Sequence, residues 1–125
     1  IELARLLQPD KSWEVADARA LPWPSDAFDV VLLPEVLEHL DFETGVPQAI
    51  AEAARVARRR VLVTFPCGLA DNPEACCFKH AWLADQGHVD EVVRLLRERW
   101  GTVHRYGVEG FVCLLAEEKR EREIR

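Results

Sequence analysis

Two apolar, β-branched runs, each stopped by a proline, constrain the fold of this chain most. The first is residues 27–33, Ala-Phe-Asp-Val-Val-Leu-Leu, closed by Pro34. The second is residues 60–65, with the core Val-Leu-Val-Thr-Phe, closed by Pro66. Runs that stay apolar at successive positions, rather than alternate ones, are of the type buried on both faces of a parallel sheet. Between them, residues 46–57 repeat with the helical period. Val46, Ala49, Ile50, Ala53 and Ala57 share one face, and Pro47 suits a first turn. The spacing therefore predicts strand, helix, strand.

Further along, Val89, Val92, Val93, Leu96 and Trp100 predict a helix over 89–100. Residues 102–106 and 111–116 then read as two strands. Their short join, Gly107-Val108-Glu109-Gly110, makes them an antiparallel hairpin. Cys113 alternates with apolar neighbours in the last strand and is expected in the core. At the other end, residues 1–7 read as the tail of a helix and residues 12–16 as a short strand. The expected fold class is α/β, a mostly parallel sheet with a C-terminal antiparallel hairpin. With 125 residues there is room for one domain, 1–125.

Charge and cysteine content narrow the function. A net charge of -6 argues against a nucleic-acid surface, which needs clustered Lys and Arg. The tight basic run Arg58-Arg59-Arg60 falls at a predicted helix end, where cations suit the dipole. No run approaches membrane length and no signal peptide is visible, so the expectation is a cytoplasmic chain without a membrane partner. Cys67, Cys76 and Cys77, with His80 and His88, bring thiols and imidazoles into one long loop region, residues 67–86, and just beyond it. Their spacing fits no zinc pattern, so no metal is expected there; small thiols packing under a loop is the alternative. His80 and His88 are candidate substrate-side residues, because that loop leaves the sheet on the carboxyl side of its strand.

The densest chemistry lies in residues 16–40. Asp17 ends a short apolar run, Leu21-Pro22-Trp23-Pro24 makes a loop, and the strand 27–33 follows. Pro34, Glu35, Glu38 and His39 come immediately after it. Polar groups just past the carboxyl end of a parallel strand are where open α/β sheets bind ligands. Asp17 also suits a turn, and Glu35 and Glu38 also suit a first helical turn.

These residues resemble the class I S-adenosylmethionine-dependent methyltransferases. The resemblance rests on Asp17-Ala18, Leu21-Pro22, Phe28-Asp29-Val30-Val31 and Leu37-Glu38-His39-Leu40, with Arg55-Val56 before the second strand. It implies a Rossmann-like sheet and S-adenosylmethionine as cofactor. Asp17 would accept a hydrogen bond from the adenine amino group, and Ala18 and Leu21 would lie by the base. Pro34 and Glu35 would face the methionine end. His39, one helical turn beyond Glu35, would act as a base or orient the site. The family's glycine-rich turn and ribose-binding acid are not among these residues, and residues 1–5 look like the helix that follows them. The expectation is thus an N-terminally truncated sheet with an incomplete cofactor pocket and no direct ladder between residues 12–16 and the strand 27–33.

Two functions follow. One is methyl transfer from S-adenosylmethionine to a small-molecule or other nucleophile. The other is a non-catalytic remnant of the fold, serving as a binding or scaffold module.

Overall fold

The structure is a computed structural model and describes residues 1–67, 81–82, 84–108 and 110–121. Its elements in chain order are α1 (Glu2–Leu7), β1 (Phe28–Pro34), a 3-10 helix (Leu37–His39), α2 (Gly45–Val56), β2 (Ala57–Pro66), α3 (Gln86–Arg97), β3 (Trp100–Val108) and β4 (Phe111–Lys119). The four strands form one sheet in the order β1-β2-β4-β3. β1 and β2 are parallel, joined by a crossover through α2, as parallel neighbours require. β4 is antiparallel to both β2 and β3. Three of the four described strands thus run one way, and only β4, the return arm of the hairpin, runs against them. The last strand pair of that hairpin is Val108 with Phe111, and Gly110 at φ 77 supplies the left-handed residue its tight turn needs.

The core lies on one face of this sheet. Along β2, Val61, Val63 and Phe65 are buried at alternate positions; on β4 Val112, Leu114 and Ala116 match them. α2 closes over them with Val46, Ala49, Ile50 and Ala53, and α3 with Val89, Val92 and Leu96. A side chain such as Phe65 or Leu114 contributes roughly 1.5–3 kcal/mol relative to leaving it in water. Asp85 fixes where α3 begins. Its carboxylate accepts from His88 N at 2.9 Å, and its own N–H donates to His88 Nδ1 at 3.3 Å, a reciprocal cap.

Several expectations need correction. β1 is not buried on both faces: Phe28, Val30 and Leu32 are 42%, 46% and 59% exposed, because α2 and α3 share the opposite face. Cys113 is half-buried and alternates with the core residues Val112 and Leu114, so it lies on the open face. Arg58, Arg59 and Arg60 belong to β2 rather than to a helix end, since Ala57 turns extended directly after α2. There Arg58 pairs with Asp29 on β1 and Arg60 with Glu117 on β4, cross-strand ion pairs in place of dipole contacts. α3 starts and ends three residues before the expected helix, and Trp100, fully buried, opens β3 instead.

Residues 12–16 form no strand. As expected, no ladder joins them to β1, since an unpartnered strand has nothing to satisfy its backbone. They turn back on α1 instead: Arg5 Nη2 donates to Trp13 O at 3.1 Å, and Trp13 Nε1 to Gln8 O at 3.0 Å. Leu3, Leu6 and Leu7 of α1 stay exposed.

Candidate functional site

The loop leading into β1 carries the first group of site residues. Asp17 makes a tight turn: its carbonyl accepts from Ala20 N at 3.0 Å and its carboxylate from Arg19 N at 2.9 Å. The Arg19 guanidinium also closes on that carboxylate, through Nε at 3.0 Å and Nη2 at 2.7 Å. Those bonds hold the Asp17 carboxyl far below the usual range, at about 2. Asp17 is therefore an ionised acceptor at every physiological pH, and its side chain is half exposed. Ala18 next to it is partly buried and packs against the core. Leu21 is also partly buried.

Beyond Leu21 the loop is laced to α2. Leu21 N donates to Glu52 Oε2 at 2.7 Å. Arg55 donates from Nη2 to Leu21 O at 3.0 Å and from Nη1 to Trp23 O at 2.7 Å. Glu52 and Arg55 lock each other through bonds of 2.8 and 2.9 Å. The Trp23 ring packs edge-on against Phe28 at 5.4 Å between centroids. At the loop's end, Asp26 N donates to Arg55 O at 2.9 Å, and Lys119 Nζ reaches the Asp26 carboxylate at 2.6 Å.

The second group sits where β1 stops. Glu35 takes a positive φ of 53, a left-handed conformation that costs a non-glycine residue of order 1 kcal/mol. Its N–H still donates to Thr64 O at 2.9 Å, and its carboxylate accepts from Thr64 Oγ1 at 3.1 Å. The kink turns the chain sharply off the strand and into the 3-10 helix. It also means that Glu35 and His39 do not share a continuous helix, contrary to the expectation that His39 stands one helical turn beyond Glu35. Pro34 and Glu35 are exposed, and His39 is partly buried.

Glu38 is the residue that sequence reasoning undervalued. It is 2% exposed, and among the described residues its Oε2 has no hydrogen-bond partner. Burial, helped by the neighbouring Glu35 carboxylate, pushes its carboxyl up to about 7; His39 Nε2, 3.7 Å from Glu38 Oε1, pulls the other way. The 3-10 helix is braced by Ala81 and Trp82. Ala81 N donates to Glu38 O at 2.7 Å, and Trp82 Nε1 to the carbonyls of Leu37 and Leu40 at 3.1 and 3.0 Å. His88 stacks on Trp82 at 5.1 Å and meets Phe42 edge-on at 4.5 Å.

The structure thus brings Pro34, Glu35 and His39 together at one strand end, and Asp17, Ala18 and Leu21 together on one loop. No hydrogen bond joins the two groups among the described residues. His88 is a helix cap and an aromatic-cluster member, one contact away from the 3-10 helix through Trp82. His80, Cys76 and Cys77 lie outside the described residues. Cys67 is half-buried with a free thiol. Among the described residues, no group of His, Cys, Asp and Glu could hold a metal ion, and no helix is long and apolar enough to cross a membrane. Sequence reasoning did not give Glu52 a role, although an acid and an arginine three apart on one helix were a readable signal.

No curated protein matches this chain. Among solved structures, the PH0226 protein from Pyrococcus horikoshii OT3 is similar over 94% of this chain and 66% of its own, with a TM-score of 0.69 at 15% identity. An O-methyltransferase family protein from Burkholderia thailandensis is similar over 75% of this chain and 31% of its own (TM-score 0.55, 14% identity). The magnesium protoporphyrin IX methyltransferase from Synechocystis PCC 6803, with bound SAH, is similar over 83% and 49% (TM-score 0.53, 16% identity). At these identities the likeness shows the fold alone, a Rossmann-like methyltransferase sheet, and this chain spans at most about two thirds of each neighbour's length. A family model described as a methyltransferase domain matches residues 1–65, just over half of the 125, and the chain belongs to that family.

Proposed function

We propose that this chain is part of an enzyme that transfers a methyl group from S-adenosylmethionine to a small-molecule nucleophile. Family membership is the observation that carries the proposal. The residues present fit the cofactor's chemistry. Asp17 is a pure acceptor, held ionised, and a purine 6-amino group is a donor. Ala18 and Leu21 beside it are apolar and partly buried, as a base-binding wall requires.

In this reading Asp17 orients the base, and the backbone of Ala18 and the side chain of Leu21 shield it. Pro34 and Glu35 stand by the amino-acid end, where the positive φ of Glu35 turns the chain away from β1. His39 holds or takes the proton of the nucleophile at Nε2, the atom that faces Glu38. His80 and His88 belong to the substrate side. When bound, S-adenosylmethionine supplies an electrophilic sulfonium methyl group. The chain's contribution is then chiefly alignment of the two reactants. Calorimetric titration of the full chain with S-adenosylhomocysteine tests the reading. Saturable binding that Asp17→Ala weakens tenfold or more supports it, and no heat at millimolar ligand defeats it.

One observation favours a second reading, a non-catalytic binding module of the same fold. β1 is a sheet edge among the described residues, and its Phe28-Val30-Leu32 face is exposed. Methyl transfer to any acceptor would exclude that reading.

A further inference from the structure

We propose that Glu52 and Arg55 are positioning residues for the purine half of the site, acting through the loop that carries Asp17. The inference rests on the methyltransferase reading above and deepens it.

The two side chains make one unit at the carboxyl end of α2. Their mutual bonds, at 2.8 and 2.9 Å, present a carboxylate oxygen and two guanidinium nitrogens in a fixed arrangement. All three are directed at the loop backbone. Glu52 takes the N–H of Leu21, and Arg55 takes the carbonyls of Leu21 and Trp23. Both backbone groups of Leu21 are therefore fixed by side chains 31 and 34 positions away. Leu21 follows directly on the Asp17–Ala20 bridge, so the orientation of that turn is handed on from α2. Arg55 adds a third hold through its own carbonyl, which takes Asp26 N at 2.9 Å, and Lys119 pins the Asp26 carboxylate.

Packing alone does not explain the pair. The apolar face of α2 is completed by Ala49, Ile50, Ala53 and Val56, and the Glu52 and Arg55 side chains remain 20% and 27% exposed. They bond to each other and to the loop, with no described bond from either side chain into the sheet. A bare strap would serve stability only. A strap ending four residues from the base-reading carboxylate also sets where that carboxylate points. A shift of about 1 Å at such a group is enough to cost much of its effect.

The test compares S-adenosylhomocysteine with S-inosylhomocysteine, which presents a 6-oxo acceptor where adenine presents a 6-amino donor. The ratio of their dissociation constants reads the placement of Asp17 and is indifferent to general loss of folded protein. The full wild-type chain is expected to prefer the adenosyl compound at least tenfold, and Asp17→Ala to bring the ratio near one. Arg55→Met and Glu52→Gln are expected to compress the ratio several-fold, with faster amide exchange at Leu21. Arg55→Lys keeps the charge but loses the fork, and its ratio is expected to fall between those of wild type and Arg55→Met. If Arg55→Met fails to fold, Arg55→Lys and Glu52→Gln decide the matter. Variants that keep the full wild-type ratio overturn the positioning role and leave the methyltransferase reading intact. A wild-type chain that binds neither compound overturns both. A wild type that binds them equally overturns the base-reading role of Asp17 and the positioning role with it.

Discussion

Glu38 carries a carboxyl that burial keeps protonated up to about 7, against an ordinary value of 4.5. The sign of its effect on stability follows from proton counting. Between those two values the folded chain holds a proton that the unfolded chain has released, so this group's contribution falls as pH rises through the window and is flat above it. The cost of ionising it in place reaches up to about 3 kcal/mol. Glu38→Gln keeps the shape and removes the titration. Its stability relative to wild type should therefore rise from pH 5 to pH 8, as read from urea midpoints at the two values. A difference that stays constant or falls would show that Glu38 is hydrated in the folded chain. The opposite device operates at Asp17, whose carboxyl is pulled down by the Arg19 guanidinium rather than pushed up by burial. Arg19→Ala should return it toward 3.8, the ordinary value, measurable by carboxyl NMR titration. A titration midpoint left near 2 would mean that the backbone turn alone holds the charge.

Among the elements, α3 shows how a local signal outranks periodicity. The apolar spacing suggested a start at Val89, yet the helix begins at Gln86, because Asp85 and His88 cap it reciprocally. Asp85→Ala removes the acceptor of His88 N and should cost about 1 kcal/mol, lowering the melting temperature by a few degrees. A melting temperature equal to wild type would mean that water caps the helix as well. Strand, helix and hairpin identities were legible because each depends on residues close in sequence: Val61 to Phe65, Val46 to Val56, and the glycines before Phe111. Boundaries were not, where charge decided them. Arg58 and Arg60 look like a helix terminus until Asp29 and Glu117 stand across from them on neighbouring strands. The site divides in the same way. Asp17, Leu21, Pro34 and His39 could be picked out from one continuous stretch. The anchors of Leu21 lie more than thirty residues away, and the burial of Glu38 depends on the fold packed around it, including the Ala81 and Trp82 contacts.

For the whole molecule, the decisive arrangement is that both helices with core residues lie on one face of the sheet. Leu114 on β4 is fully buried beneath them, whereas Leu32 on β1 is 59% exposed on the other face. The same substitution then distinguishes the two layers. Leu114→Ala opens a cavity under α2 and α3 and should cost about 2–5 kcal/mol. Leu32→Ala removes a side chain that water already reaches and should stay within about 0.5 kcal/mol of wild type. Chemical denaturation of both variants measures the contrast. A comparable loss at Leu32 would mean that the open face of β1 is covered in the folded protein. That result would move the apolar row Phe28-Val30-Leu32 from solvent into a second core.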